Sequence, residues 1–275
     1  MRDILVPVAD RPECARALQT AFDLGKKLGA SVTGCHIRPH RYSKVTLSPA
    51  FADSAWYRKS TKGAPAAALT LFSNLAEKNG YKVTRRSSIA QTAVWLEKVG
   101  SPERLMAILG PVTDLIVVSR PSRPGNVADM FLHAALIESG RPVLVLPQSR
   151  HRPIGRHACI AWNQSADAAR AVTAAMPLLQ EADDVTIITC GPEDKAGPKS
   201  SHLAAYLRNW GVHSKRKATR GRDVEAELVA AAKEAGADLL IGGAYSRRRW
   251  RQKIFGGTTE YLIRTAKLPI LLLHC

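Results

Sequence analysis

A chain of 275 residues with 45% hydrophobic and 23% charged side chains has room for one large domain or two ordinary ones, and excludes disordered and collagen-like classes. No apolar run approaches the roughly 18 residues of a membrane span, and the opening MRDILVPVAD has no signal-peptide core, so the chain reads as cytoplasmic with no membrane partner. The net charge of +17 favours polyanions from nucleotides to RNA, and acts on solubility and association rather than on fold.

In chain order, short apolar runs without strict alternation are separated by helical windows, the pattern of a parallel sheet buried on both faces. Strands are expected near Ile4 to Val8, Ser31 to Ile37, Lys82 to Arg86, Asp114 to Val118 and Val143 to Leu146, and helices near Glu13 to Leu28, Ala66 to Lys78, Thr92 to Leu109 and Val127 to Glu138. A second series follows, with strands near Ala158 to Ala161, Val185 to Thr189, His213 to Lys217, Leu239 to Gly242 and Ile270 to Leu273. Its helices are expected near Asp167 to Gln180, Ser200 to Asn209, Asp223 to Glu234 and Thr258 to Thr265. The two series share their wording. Thr113 to Val118 (TDLIVV) returns as Ala237 to Gly242 (ADLLIG), and Ser139 to Pro147 returns as Ala266 to His274. The period is too long for a solenoid, so each copy should hold its own core. Domains are expected over 1–149 and 156–275, with the polar Ser149 to Gly155 as linker. The excursion from His40 to Pro65, which carries Tyr42, Phe51, Trp56 and Tyr57, reads either as a lid or partner loop or as a tolerated insertion.

The chemistry concentrates near the C-terminus. A strand ends in Gly242 and Gly243, a loop carries Arg247, Arg248, Arg249, Arg251 and Lys253, and Gly256 and Gly257 open the last helix. Glycines here let backbone N–H groups approach a phosphate, and the helix dipole favours its charge. Trp250 lies between the arginines, where cation–π stacking could hold the loop or catch a base. In the first copy the matching loop, Val118 to Ala128, lacks the glycine pairs, and Pro121 and Pro124 remove two donors. One competent site and one degenerate site are therefore expected. The five cysteines are scattered singly, without metal-site spacing, and read as free thiols.

In these features the chain resembles the universal stress protein family in a tandem two-domain form. The nucleotide-binding members carry G-x2-G-x9-G-[ST] between the fourth strand and the last helix. Here Gly243, Ala244, Tyr245 and Ser246 are followed by nine residues and then Gly256, Gly257 and Thr258, with Ser246 in place of the second glycine and Gly257 in place of the Ser or Thr. The resemblance implies two doubly wound five-stranded parallel α/β domains, Rossmann-like and of the adenine nucleotide alpha hydrolase-like type, which pair as a pseudo-dimer within one chain through their last strands. It implies a stress-response regulator whose ligand is ATP or another adenine nucleotide, with or without Mg. The implied site residues are Ala161, Asn163, Cys190, Gly243, Ser246, Gly256, Gly257 and Thr258. Asn163 stands where the family has an acid facing the ribose, Cys190 where the adenine pocket is lined, and Asp10 is the first copy's retained acid.

Catalysis has little support, since GxSxG, GxxxxGK[ST] and HExxH are all missing from the sequence; at most weak ATP hydrolysis is expected. Two alternatives stay open. Ser246, Gly257 and Asn163 suit a nucleotide-free protein-interaction module, and the cluster Lys215, Arg216, Lys217, Arg220 and Arg222 suits RNA, against which no nucleic-acid recognition motif is present.

Overall fold

In the computed structural model the described residues are 1–8, 12–38, 65–86, 91–121, 127–148, 153–244 and 257–274. The excursion that starts at His40 and the first part of the expected linker lie outside them. The chain divides into two compact units, Met1–His151 and Arg152–Cys275. The first contains β1 (Asp3–Val8), α1 (Pro12–Leu28), β2 (Ser31–Arg38), α2 (Pro65–Lys78), β3 (Lys82–Thr84) and β4 (Thr92–Val99). It continues with α3 (Pro102–Leu109), a 3-10 turn (Gly110–Val112), β5 (Leu115–Ser119), α4 (Val127–Glu138) and β6 (Val143–Leu146). Its strands lie parallel in the order β3-β4-β2-β1-β5-β6. Ile4, Leu5, Val6, Leu115, Ile116, Val117, Val143 and Leu144 are almost completely buried, as a parallel sheet covered on both faces requires.

One expected element is corrected. The window Thr92 to Leu109 is not one helix but β4 followed by α3, so this unit has six strands rather than five. Two local signals break the helical pattern. Gly100 takes φ 156, and Ser101 caps α3 by accepting from the Arg104 N–H at 3.3 Å, with Pro102 behind it. Before that break, Thr92, Val94, Trp95 and Val99 are β-branched or aromatic, and β4 pairs with β2 from Val32↔Ala93 to Arg38↔Val99. Pairing with the long β2 decides a segment whose apolar spacing fits either structure.

The second unit matches its expected elements within a residue or two at each end. It contains β7 (His157–Ala161), α5 (Ala166–Leu179), β8 (Asp184–Cys190), α6 (Ser200–Asn209), β9 (Ser214–Thr219), α7 (Val224–Glu234), β10 (Leu239–Gly243), α8 (Thr258–Thr265) and β11 (Ile270–Leu273). The order is β9-β8-β7-β10-β11, all parallel. Helix α5 packs on β10, β11 and β7, α6 packs on β8 and β9, and α7 and α8 pack on each other. Right-handed crossovers place α5 and α6 on one face of this sheet and α7 and α8 on the other. No described helix is long and apolar enough to cross a membrane.

The repeated TDL and ADL words perform the same task in each unit. Asp114 accepts the backbone N–H groups of Arg2 and Asp3. Asp238 accepts those of Gly155 at 2.8 Å, Arg156 at 3.0 Å and His157 at 3.2 Å. In both cases the carboxylate satisfies the donors that enter the first strand of the unit, and so fixes that strand against its neighbour, β5 in the first unit and β10 in the second. Asp238→Ala leaves three donors without this acceptor, and urea unfolding should show a loss of about 1–3 kcal/mol in the second unit. A loss below a few tenths would show that water replaces the carboxylate.

Candidate functional site

In the second unit the strand order reverses between β7 and β10, and the crevice beyond their carboxyl ends is where doubly wound sheets bind ligands. Register places Ala161 of β7 beside Gly242 of β10. A Cβ added to Gly242 would meet only the Ala161 Cβ, at 3.5 Å, among the described residues. This leaves a floor of two small residues on the side away from α5.

Gly243 points the other way. Its Cβ would stand 2.7 Å from the Ala168 nitrogen and 2.8 Å from Asp167, so the first turn of α5 rests directly on its backbone. The glycine is demanded by helix packing as well as by the motif, and spacing alone does not separate the two causes.

Beyond Ala161 the chain turns sharply. Asn163 is exposed, and its Oδ1 accepts from the Ser165 N–H at 3.2 Å and hydroxyl at 2.7 Å. Ser165 in turn caps α5 by accepting from the Ala168 N–H at 3.1 Å. The amide oxygen expected to take a ligand hydroxyl is thus committed to an Asx turn, and what Asn163 offers outward is its N–H2. Trp162 packs at 4% exposure and donates from Nε1 to the Pro198 carbonyl at 2.8 Å.

Gln164 belongs to no sequence motif, yet it organises this end of the sheet. It is buried and holds φ 61, the one positive value at a described non-glycine residue. Its amide donates to the carbonyls of Lys195 and Gly197 at 3.1 and 3.2 Å and accepts from the Lys195 N–H at 3.3 Å. A Cβ on Gly197 would overlap the Gln164 carbonyl oxygen. The β8–α6 connection is therefore clamped over the ends of β7 and β8, and these bonds hold a left-handed backbone that a glutamine disfavours. The signal available in the sequence is Gln164 between two small polar residues, with Gly197 and Pro198 downstream.

The opposite side of the crevice carries Cys190, Thr219, Glu225, Glu227 and Thr258. Cys190 ends β8 opposite Thr219. Burial first, and then the nearby carboxylates, push its thiol above the ordinary range, which disfavours the thiolate. Glu227 accepts from the N–H groups of Gly221 at 2.6 Å, Arg222 at 2.9 Å and Asp223 at 3.3 Å. The nearby Thr219 hydroxyl, followed by these backbone donors, lowers its carboxyl to about 2. Gly257 caps α8 at φ 95, and a Cβ added there would meet no described atom within 4 Å. Thr258 donates its hydroxyl to Glu225 at 2.9 Å.

Ala161, Asn163, Cys190, Gly243, Gly257 and Thr258 accordingly stand around the carboxyl edge of this unit. Ser246, Gly256, the loop arginines, Lys253, Trp250 and Asp10 lie outside the described residues. Two members of the basic cluster, Lys215 and Lys217 on β9, have partners within the unit. Lys215 pairs with Asp184 at 3.1 Å and Lys217 with Glu234 at 2.5 Å. Charges on the last strand of this unit's order are also what discourages unwanted strand pairing. In the first unit, His36 is 2% exposed and uses Nδ1 on the Val8 carbonyl at 3.0 Å, which requires the proton on that nitrogen. Cys35 and Cys159 are buried thiols raised to about 12 and about 11 by burial.

Strand order and crossover pattern define a tandem doubly wound α/β protein, with a switch point between β7 and β10 in its second unit. Residues 156–274 match the family model described as the universal stress protein family. The second unit belongs to that family, and the first carries the same fold. A universal stress protein from Archaeoglobus fulgidus DSM 4304 is similar over 99% of this chain and 96% of its own, at 15% identity and a TM-score of 0.71. A putative universal stress protein from Pseudomonas aeruginosa UCBPP-PA14 is similar over 100% and 93%, at 16% identity and a TM-score of 0.59. The cytoplasmic domain of a prokaryotic cation chloride cotransporter is similar over 99% and 95%, at 13% identity and a TM-score of 0.54. Among curated proteins no match is found.

Two adjacent glycines should respond oppositely. Gly243→Ala drives a methyl into the backbone of α5 and should cost about 1–3 kcal/mol, whereas Gly242→Ala should change stability by no more than about 0.5 kcal/mol. Equal effects in thermal unfolding would contradict this account of the crevice floor. Glu227 sets a pH dependence of its own. Because its folded carboxyl lies below the ordinary value of 4.5, its contribution is present above that value and disappears as the pH falls toward about 2. The stability gap between the parent and Glu227→Gln should therefore be widest near neutrality and close across that acidic window. A gap that stays constant with pH would contradict the assignment.

Proposed function

We propose that the second unit binds an adenine nucleotide at its carboxyl edge and that the chain acts as a nucleotide-responsive regulator in stress, with at most weak ATP hydrolysis. The observation that carries this reading is the crevice floor. Ala161 and Gly242 leave room at the carboxyl ends of β7 and β10, the edge from which the chain enters α8, where Gly257 exposes the helix N-terminus to an anion. The family match over residues 156–274 supports it, and so does the retained spacing from Gly243 to Gly256.

The phosphates are assigned to the β10–α8 loop with Ser246, Gly256 and Gly257, and the cationic residues between them supply charge-assisted donors. The base and ribose are assigned to the side of Ala161 and Cys190, with Asn163 donating rather than accepting. A companion Mg would be held mainly by the phosphates, because no group of three or more potential ligands occurs among the described residues. In the first unit Pro121 follows the last residue of β5, Ser119, by two positions, and no nucleotide is assigned there.

A second reading, a nucleotide-free protein-interaction module, is favoured by the internal engagement of Asn163 with Ser165 and of Thr258 with Glu225. Calorimetry separates the two. The parent should bind ATP at about one site per chain, one helix N-terminus serving one phosphate group, and Gly256→Val should abolish that binding while leaving the thermal unfolding profile intact. No heat of binding with any adenine nucleotide would establish the interaction-module reading, and two sites per chain would overturn the asymmetry between the units.

A further inference from the structure

At the start of α8 the position suited to a ligand phosphate already has an anion beside it. Glu225, in the first turn of α7, accepts the hydroxyl of Thr258 at 2.9 Å. Thr258 is the first residue of α8, and its cap Gly257 supplies no side-chain acceptor. The Glu225 carboxylate is thereby held at the first residue of α8, the end of the helix where the dipole favours negative charge. Glu227, its neighbour on the same helix, is fully occupied by the 221–223 backbone. Glu260, in the first turn of α8, is tied to Arg264 at 2.6 Å. Of these three carboxylates, Glu225 is the one that spans from α7 to the start of α8.

We propose that Glu225 is an internal anion that competes with ligand phosphate for Thr258 and the start of α8, and so sets the affinity of the site by ligand charge. The inference rests on the nucleotide reading of the same crevice and adds its regulation. In the unliganded protein the carboxylate holds Thr258. An arriving phosphate takes over that hydroxyl, and Glu225 must then turn away or be neutralised by a cation that accompanies the ligand. Two like charges at such range repel appreciably even at the effective dielectric of a protein surface. The more charge a ligand brings to α8, the more Glu225 opposes it. A neutral nucleoside is indifferent to Glu225.

The experiment compares the parent with Glu225→Gln, which keeps an acceptor for Thr258 and removes the charge. Calorimetry is run with ATP, with adenosine and with inorganic pyrophosphate. The variant should bind ATP and pyrophosphate about tenfold more tightly, as expected from removing one nearby like charge, with adenosine unchanged. Unchanged or weaker binding of both anions would overturn the proposal and make Glu225 a strut for α8. If adenine compounds bind neither protein, the nucleotide reading fails, and the pyrophosphate arm still decides the competition: tighter binding by the variant sustains it, and no gain refutes it. Should Glu225→Gln unfold, Thr258→Val removes the contested hydroxyl instead. The affinity for ATP relative to adenosine should then fall below the parent's, because Glu225 keeps its charge while the phosphate loses a donor, and an unchanged ratio would overturn the proposal.

Discussion

The parallel pairing of β7 with β10 is the constraint on which the second unit depends. These strands are far apart in sequence, and their register from Leu239↔Ala158 to Gly242↔Ala161 fixes three things together. It sets two small residues side by side at the floor of the crevice. It brings the Gly243 backbone under the first turn of α5. It also lets Asp238 reach the three N–H groups that lead into β7. A slip of one residue would exchange the two faces of the strand and put Gly243 where Gly242 lies. The site is thus a consequence of register, held from the far end of the strand by a carboxylate.

Around that floor the two sides of the crevice are built differently. On the α5 and α6 side the chain closes on itself, through the Trp162 indole, the Gln164 amide and the missing Cβ of Gly197. On the α7 and α8 side there are carboxylates, one immobilised by backbone donors and one holding a threonine hydroxyl. The first arrangement gives rigidity. The second is polar, with a carboxylate facing the start of α8.

Much of this is legible in the sequence, and the gaps have physical reasons. The duplicated words around Asp114 and Asp238, together with the buried apolar runs, are enough for the fold because parallel strands covered on both faces leave a strong signature. The window 92–109 misleads because Thr92 to Val99 is apolar at spacings that suit either a helix or a strand, and only pairing with β2 resolves it. At the site, the motif points to Gly243, yet its packing role under α5 depends on a helix more than seventy residues earlier in the chain. Position in the fold points to Asn163, but its commitment to Ser165 is a matter of local geometry. Gln164 and Glu225 escape because neither belongs to a motif. Their importance comes from partners about thirty residues away, which no spacing rule connects.

The central claim is that ligand meets the second unit at the carboxyl ends of β7, β8 and β10 and at the start of α8. Amide hydrogen exchange with and without ATP tests it most directly, since it reads each segment separately. The account predicts slower exchange confined to residues 161–165, 190–191 and 242–262, with residues 1–148 unchanged. Protection in the first unit, or along β9 in place of these segments, would contradict it.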